Sequence, residues 1–446
     1  MSHIFLIASL FLVIGVAANL WRFWRSVAYL KTATEFGSTV PDPSARRDQK
    51  IIVIIPALSE QDRLPHTIAH FSSAMAPWRS GEIVICTTAR EPAQPGSGPS
   101  TYELVNGIIQ ANPQQNLRLI HDARHTGSMA HQINFAVQEL RQRGLLGNRD
   151  FIAIYNADSR PHPCTFQWVQ AQIDANTSHE AFQQSAIFLR NFNLLKGTLA
   201  KANALYQSFW TLSHEIPRLL NQSQGSEFKQ RYANAHCVGH GLFISIELFE
   251  ELGGLPEDTL TEDLFLGFKV RASGTSISPV PYLEYADAPS NFRSAFRQKR
   301  VWFWGPMLYP YYLLQVLRTG KLSPQDIARA SAIALQGWLS SWRWLAAGPV
   351  VLFSLAGIVF AASSFGMLVA FLAVAGFALS APLCVLYAAH FDLRSRDLHY
   401  RWSDIAAIAL SSIPQIIAHS AAGFLALREG LFWAVTGRLP RKTRTE

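Results

Sequence analysis

The chain has 446 residues, of which 16% are charged, against roughly 25% in an average soluble domain. This deficit, together with 49% hydrophobic residues, excludes a disordered or collagen-like chain and indicates long segments that do not meet water. The formal net charge of +8 suits anionic lipid, phosphate-bearing substrates or nucleic acid, while four widely spaced cysteines without a C-x-x-C pair argue against a disulfide framework or zinc ribbon.

The N-terminal segment is predicted to be a membrane anchor. Residues 3–20 contain no Asp, Glu, Lys or Arg, and roughly 18–20 apolar residues are enough to cross the hydrocarbon core of a bilayer. Arg22 and Arg25 follow this run, so the positive-inside bias places the chain after residue 31 in the cytoplasm. A cleaved signal peptide is the alternative, but no Lys or Arg precedes the run and no A-x-A cleavage pattern follows it. We assign residues 1–31 to the anchor.

Residues 41–290 are predicted to form a cytoplasmic α/β domain with a Rossmann-like, mostly parallel sheet. Short β-branched runs typical of buried parallel strands occur at 51–55, 83–87, 117–120 and 151–154. Helical stretches lie between them, at 65–75, 101–111 and 128–143. Strands alternating with helices at this spacing favour a doubly wound sheet.

The C-terminal third is predicted to be a membrane region. Residues 344–391 carry no charged side chain and are long enough for two helices with a break at Ser363-Ser364, and 405–427 is a third uncharged run. Two shorter runs rich in Trp and Tyr, 301–317 and 330–342, favour interfacial helices. We therefore assign amphipathic interface helices, transmembrane helices and a basic cytoplasmic tail to residues 291–342, 343–430 and 431–446.

The number of spans stays open at this point. The loop 392–404 and the tail are both basic, which favours the cytoplasm for both, yet a single uncharged run separates them. Either the region around Pro414 is re-entrant or split, or one of the shorter runs crosses the membrane and the loop faces outward.

Polar residues follow the strand ends, where ligands bind in doubly wound sheets. Residues 56–60 read PALSE after the first strand, and residues 155–159 read YNADS after the fourth. Two later segments are TEDLFLG at 261–267 and QKRVW at 298–302. The carboxylate of Asp158, just past a strand, suits a Mg²⁺ or Mn²⁺ ion shared with phosphate oxygens, although an N-cap role is the simpler alternative.

The order and spacing of these segments resemble a membrane-bound family 2 glycosyltransferase, the group of cellulose, chitin and hyaluronan synthases and ceramide glucosyltransferase. IIVIIPALSE at 51–60 resembles the family's strand followed by P-A-x-x-E, and NAD at 156–158 resembles its D-x-D. Residues 238–267 resemble its acceptor-side strand, GG turn and T-E-D signature, and QKRVW resembles its Q-x-x-R-W. The resemblance implies a GT-A catalytic domain beside transmembrane helices, and an inverting transfer from a cytoplasmic nucleotide sugar to a lipid or glycan.

The resemblance also implies roles for individual residues. Asp263 is the expected general base, which the weakly nucleophilic acceptor hydroxyl needs, and Glu262 is the expected neighbour that orients its loop. Asp158 is the expected ligand of the divalent metal. The expected substrate contacts are Pro56, Ala57, Glu60, Asn134, Asn156, His240, Gln298, Arg300 and Trp302.

The chain departs from the family pattern at several positions. Asn156 replaces the first Asp of D-x-D, Thr87 or Thr88 stands where a second-strand Asp is usual, and Val301 stands at the Arg of Q-x-x-R-W unless Arg300 has shifted by one. A UDP-sugar is the expected donor. These losses motivate an alternative, a catalytically inactive relative that acts as a membrane scaffold.

Two further functions are open to the same sequence. A processive polysaccharide synthase would also secrete its product through the C-terminal helices, whereas a transporter is disfavoured because the long uncharged runs lack acidic residues. No RNA- or DNA-binding module accompanies the basic residues near 293–300, so nucleic acid is not an expected partner. We expect an integral protein of a bacterial inner membrane with its catalytic domain in the cytoplasm.

Overall fold

The computed structural model describes residues 2–36, 49–76, 81–91, 98–113, 116–175, 179–320, 322–393 and 398–436. Within these ranges an α/β domain carries one seven-stranded sheet, and long apolar helices from both ends of the chain pack beside it. The predicted α/β sheet with a helical region long and apolar enough to span a membrane is confirmed. The last part of the predicted basic tail, residues 437–446, lies outside the described residues.

The sheet has the strand order β3-β2-β1-β4-β6-β5-β7. Its strands are parallel except β6, which pairs antiparallel with β4 and β5 on its two sides. The first four strands lie where the sequence predicts them, because their β-branched side chains are buried between two helical layers. The strands are β1 Ile51–Pro56, β2 Glu82–Thr88, β3 Leu117–Asp122, β4 Phe151–Ile154, β5 Ala181–Ile187, β6 Leu242–Ser245 and β7 Ile277–Tyr285.

Helices cover both faces of the sheet. Phe71, Val105 and Phe166 from α2, α3 and α5 pack in the core on one face, and Ile133 and Leu266 from α4 and α10 pack on the other. The helices of this domain are α2 Leu64–Met75, α3 Thr101–Ala111, α4 Met129–Gln142, α5 Thr165–Ala175, α6 Thr198–Trp210, α7 Ile216–Gln224, α8 Glu227–Tyr232, α9 Ile246–Glu251 and α10 Glu262–Ser273.

Six further helices make up the apolar region and its junction with the sheet domain. They are α1 Ser2–Phe36, α11 Phe292–Met307, α12 Tyr309–Arg318, α13 Pro324–Phe360, α14 Ser364–Tyr387 and α15 Trp402–Thr436. Among the described residues, α1, α13, α14 and α15 are long and apolar enough to cross a membrane, judged by length and composition. The first three pack on one another: Gly357 of α13 approaches Phe5 of α1 and Ala370 of α14, and Gly376 of α14 approaches Val16 of α1.

The predicted break between α13 and α14 is confirmed at Ser363, whose hydroxyl accepts a hydrogen bond from the backbone N–H of Gly366 and caps α14. The predicted boundary between interface helices and spans, at 342/343, falls inside α13. Residues 330–342, which we expected as a separate interfacial helix, are the first half of this 37-residue helix. No helix-breaking residue separates the two parts, since the only proline beyond the first turn, Pro349, is accommodated within the helix.

The C-terminal helix α15 contacts α6 and α11 at points spread along its length. Ser411 hydrogen-bonds Thr198 of α6 at 2.7 Å between hydroxyls, and Glu429 forms an ion pair with Arg300 of α11. Near its end, the ring of Trp433 lies 6.0 Å from that of Trp304. This helix therefore joins the sheet domain to the apolar region.

A single helical rod from residue 198 to residue 224 runs between the sheet and the apolar helices. It consists of α6, a π-helical turn at Thr211–Glu215, and α7. The π turn inserts an extra residue into the helix, a feature that is frequent at functional sites. Phe209 stacks on Phe23 of α1 with ring centroids 5.4 Å apart, so the rod also contacts the N-terminal helix.

Close backbone packing fixes the position of α10. A Cβ atom on Gly267 would overlap the backbone of His236 and Cys237, so only glycine allows this approach. The contact joins the TEDLFLG segment to the residues that lead into β6. The glycine of the sequence motif is thus explained by packing, without any contact to a substrate.

We expect Gly267→Ala to lower the thermal midpoint of the full-length protein in detergent, because the added methyl group forces α10 away from residues 236–237. Overpacking of this kind costs about 1–3 kcal/mol. Gly107→Ala is the matched control, since Gly107 lies inside α3 and no atom lies within 4 Å of the position that an added methyl group would take. There, alanine gains up to about 1 kcal/mol of helix propensity. Equal midpoints for the two variants would contradict this account of α10.

Candidate active site

One large cavity opens at the carboxyl ends of β1 and β4 and continues between the apolar helices. Its volume is about 1670 Å³. Asp158, which follows β4, and Asp263, at the start of α10, both line it. The two carboxylates singled out in the sequence are therefore brought together, although 105 positions of the sequence separate them.

The end of the cavity beside the sheet is built from strand-end loops. Pro56 ends β1, Glu60 lies in the loop after it, and Asn156 follows β4; all three line the cavity. The N-terminus of α4 faces the same space through Gly127 and Ser128, and Gly127 has a φ of 114°, a conformation that favours glycine. The N–H groups at a helix N-terminus are suited to phosphate oxygens.

The backbone around Asp158 is held by a partly buried charge pair. Arg190 donates a hydrogen bond of 2.6 Å to the backbone carbonyl of Asp158 and pairs with the carboxylate of Asp287. Among the described residues, none donates a hydrogen bond to the Asp158 carboxylate. That carboxylate is thus held at the cavity wall by its backbone while its oxygens face the cavity.

The described residues contain no group of three or more His, Cys, Asp or Glu side chains that could enclose a metal ion. Asp158 and the amide of Asn156 are the oxygen groups available beside the expected diphosphate. This arrangement fits a metal that takes most of its ligands from phosphate oxygens and water, as Mg²⁺ commonly does. It does not fit a metal held by the protein alone.

Asp263 is positioned by its own helix and by a glycine opposite. Its Oδ1 accepts a hydrogen bond of 2.8 Å from the backbone N–H of Leu264. Its Oδ2 would lie 3.4 Å from a Cβ atom at Gly239, so the loop before β6 passes close to the carboxylate. Glu262, the expected orienting residue, is buried and also lines the cavity.

His240 forms a buried ion pair inside the cavity. Its Nδ1 lies 2.9 Å from Oε2 of Glu284, which is itself buried at the end of β7. Burial acts to lower the pKa of His240, but Glu284 outweighs it and raises that pKa to about 9. The pKa of Glu284, which burial alone would raise, is lowered by His240. The imidazole is therefore a cation at neutral pH, close enough to Asp158 to feel its charge.

The QKRVW segment lies on α11, and helical geometry decides which of its side chains reach the cavity. Gln298, Val301 and Trp302 line it, as expected for residues three and four apart on one helix face. Arg300 is turned about 200° from Gln298 at 100° per residue, and it pairs with Glu429 of α15 instead. Arg300, an expected substrate contact, therefore does not line the cavity, whereas Val301 does.

Two other expected contacts also lie outside the cavity lining. Ala57 is buried, and its carbonyl accepts a hydrogen bond from Gln132. The Asn134 side chain exchanges two 2.9 Å hydrogen bonds with the backbone of Leu255 and donates a third to Glu257. Asn134 therefore holds the turn at Gly253-Gly254 against α4, because its amide both donates to and accepts from the backbone of Leu255 beside that turn.

Several charged cavity residues were not among the site residues expected from the sequence. Glu215 and Arg218 project from the π turn and the helix after it, and Lys299 lies between Gln298 and Arg300. Arg22 of α1 and Arg343 of α13 reach the same cavity from the apolar helices. The signal available in the sequence was the placement of basic residues beside apolar runs. We interpreted these residues only as evidence of membrane topology.

We expect the stability of the protein to depend on pH through His240. Because its pKa is raised from 6.5 to about 9, the imidazolium stabilises the fold fully below pH 6.5, and this contribution is lost as the pH rises through 9. The thermal midpoint should therefore fall between pH 6.5 and pH 9.5 in the wild type and fall less in His240→Gln, which keeps a hydrogen-bond donor without the charge. Parallel profiles for the two proteins would refute this assignment.

Comparison with known proteins places the chain among sugar-transferring enzymes. Residues 205–391 match the family model described as glycosyl transferase family group 2. No match was found among curated protein sequences. The matched segment runs from α6 to the end of α14, so it contains Asp263, His240, Gln298 and Trp302 together with most of the apolar helices.

Solved structures with a similar arrangement share little sequence with this chain. A mannosyltransferase, PcManGT from Pyrobaculum calidifontis, in complex with GDP-Man and Mn²⁺, is 18% identical, with a TM-score of 0.48 over 94% of this chain and 99% of that one. Residues 1–349 of S. aureus TarS in complex with UDP-GlcNAc are 11% identical, with a TM-score of 0.45 over 86% of this chain and 92% of that one.

The family match confirms the resemblance stated from the sequence, and the sheet with its flanking helices confirms the expected GT-A fold class. Residues 205–391 are therefore similar to glycosyl transferase family group 2.

Proposed function

We propose that the protein transfers a sugar from a nucleotide-sugar donor to a hydroxyl group of a lipid or glycan at the cytoplasmic face of a bacterial inner membrane. The observation that carries this proposal is that Asp158 and Asp263 line one cavity, which continues between α1, α13 and α14. A donor bound at the sheet and an acceptor entering from the apolar helices would meet between the two carboxylates.

The donor end would be held by the strand-end loops. Asp158 would share a Mg²⁺ or Mn²⁺ ion with the diphosphate, Asn156 and Glu60 would contact the nucleotide, and N–H groups at the N-terminus of α4 would donate hydrogen bonds to phosphate oxygens. The metal would supply positive charge to the departing diphosphate. A UDP-sugar is the donor that we propose.

The acceptor end would use Asp263 as the general base. The acceptor oxygen attacks the anomeric carbon, its proton passes to the Asp263 carboxylate, and the bond from that carbon to the diphosphate oxygen breaks with its electron pair. One displacement of this kind inverts the anomeric configuration. The nucleoside diphosphate leaves, and the proton leaves Asp263 for solvent before the next cycle.

Three further cavity residues fit this reaction. The His240 imidazolium, held by Glu284 near Asp158, adds a positive charge on the side where the leaving group accumulates negative charge. Trp302 is 38% exposed and offers an aromatic face on which an acceptor sugar or lipid headgroup can stack. Gln298 would be fixed for a substrate contact by its 2.7 Å hydrogen bond from Gln207.

We expect Asp263→Asn to lower sugar transfer by about 10²–10⁴-fold, the usual contribution of a general base. Asparagine keeps the size of the side chain but cannot accept the acceptor's proton. The measurement is incorporation of label from a panel of radiolabelled UDP- and GDP-sugars into the lipid and glycan fractions of membranes that contain the protein. Full transfer by the variant would refute Asp263 as the base, and long polymeric product from the wild type would favour a processive synthase.

We expect Asp158→Asn to remove the metal-dependent part of nucleotide binding. Wild-type protein should be stabilised thermally by a nucleoside diphosphate with Mn²⁺ or Mg²⁺ more than by the nucleotide with a chelator, since a ligand that prefers the folded state raises the midpoint. Asp263→Asn is the matched control, because it makes the same chemical change in the same cavity and should keep the metal-dependent stabilisation. Retention of that stabilisation in Asp158→Asn would place the metal elsewhere.

A further inference from the structure

The cavity collects arginine side chains from three separate helices. Arg22 comes from α1, Arg218 from α7 and Arg343 from α13, and all three line the cavity. Among the described residues, no carboxylate lies within salt-bridge distance of any of them. Arg22 contacts the amide of Asn19, and Arg218 lies over the ring of Trp210 at 5.8 Å.

These guanidinium groups are close enough to repel one another. Burial lowers the pKa of Arg218, and the charges of Arg343 and Arg22 lower it further. Glu215 is the nearby acid, but burial raises its pKa and one of its carboxylate oxygens is buried without a hydrogen-bond partner. Glu215 therefore does not neutralise three arginines. Like charges around one cavity repel one another, and a bound anion would offset that repulsion.

Beyond the arginines, the cavity continues as an apolar passage between three helices. It is lined there by aliphatic and aromatic side chains of α1, α13 and α14: Phe11, Val16, Ala347, Val350, Phe377 and Ala381. All three helices are long and apolar enough to cross a membrane. A chain of methylene or isoprene units suits such a passage, because it needs no hydrogen-bond partner.

Arg218 is linked electrostatically to the proposed general base. Glu215 and Tyr309 each interact with both Arg218 and Asp263. An anion bound to Arg218 would therefore share neighbouring side chains with the carboxylate that activates the acceptor.

We propose that the acceptor is a lipid with a phosphate ester in its headgroup, that Arg22, Arg218 and Arg343 bind the phosphate, and that the lipid chain lies between α1, α13 and α14. The inference rests on the proposed function, since it names the acceptor class of the same site. Guanidinium forks bind phosphate oxygens in pairs, which makes arginine the residue suited to this headgroup. A neutral glycan or neutral lipid carries no anionic group to which three guanidinium groups could bind.

A simpler role exists for two of the three residues. Arg22 and Arg343 stand near the ends of apolar runs, where basic residues commonly set membrane topology. This role does not apply to Arg218, because it lies on the rod between the sheet and the apolar helices. It nevertheless lines the same cavity. A test must therefore separate binding inside the cavity from general attraction of basic residues to anionic lipid.

The test uses full-length protein in dodecyl maltoside micelles, titrated with dodecyl phosphate as a lipid phosphate and with inorganic phosphate as the free anion. Binding is followed by the thermal midpoint and by tryptophan fluorescence, since Trp210 and Trp344 line the cavity. We expect saturable binding of dodecyl phosphate in the wild type and an apparent Kd at least about 10-fold weaker in Arg218→Gln and Arg343→Gln. Arg343 is exposed in the described structure, so its substitution should leave the fold intact.

Arg428→Gln is the matched control, because it removes the same charge from an exposed position of α15 that does not line the cavity. It should bind dodecyl phosphate as the wild type does. Equal weakening in Arg428→Gln and Arg343→Gln, or no weakening in Arg343→Gln, would overturn the proposal. Inorganic phosphate that binds as tightly as dodecyl phosphate would overturn the lipid part of it.

Nucleotide binding in the same preparations keeps the two proposals apart. Metal-dependent stabilisation by a nucleoside diphosphate, without saturable binding of dodecyl phosphate, would overturn the acceptor class and leave the proposed transferase function standing. Binding of dodecyl phosphate without any nucleotide binding would overturn the proposed function, because a lipid-phosphate site would then exist without a donor site.

Discussion

The close approach of α10 to the loop before β6 is the constraint on which the rest of the site depends. Gly267 lets the helix backbone lie against residues 236–237, and Gly239 leaves room for the Asp263 carboxylate. This contact joins two segments that belong to different parts of the chain. Because interiors are packed too densely to absorb an added methyl group without movement, the packing of these backbones sets the position of the helix that carries the carboxylate.

The antiparallel strand β6 likewise brings together cavity residues from different parts of the chain. It lies between β4 and β5, so the loop that precedes it runs beside the loop that follows β4. His240 and Asp158 are therefore neighbours, and Glu284 at the end of β7 closes the group. Taking the charges of His240 and Glu284 out of water costs free energy. The net contribution of this ion pair to stability is therefore smaller than its short distance suggests.

Charge is distributed unevenly along the cavity. Asp158 and Asp263 come from strand and helix ends of the sheet domain, whereas Arg22 and Arg343 come from the apolar helices. Glu215 ends the π turn and Arg218 lies three residues further along the same rod, so both side chains project into the same space.

Much of the architecture could be predicted from residue patterns. The β-branched runs of the first four strands, the helices between them and the break at Ser363 are local features, because buried parallel strands and capped helices leave short-range signatures. The three later strands were harder to predict. β5 reads AFQQSAI, and its two glutamines are buried because Gln183 and Gln184 find hydrogen-bond partners that are distant in the sequence.

The sequence by itself determined the fold class, the apolar helices and the two carboxylates at strand and helix ends, because each depends on neighbouring residues. Tertiary structure alone decided that Asp158 and Asp263 share a cavity, that Asn134 holds a turn, and that Arg300 pairs with Glu429. It also brought arginines from α1, α7 and α13 to one place. Such contacts join residues hundreds of positions apart, and no local pattern records which distant groups will meet when the chain packs.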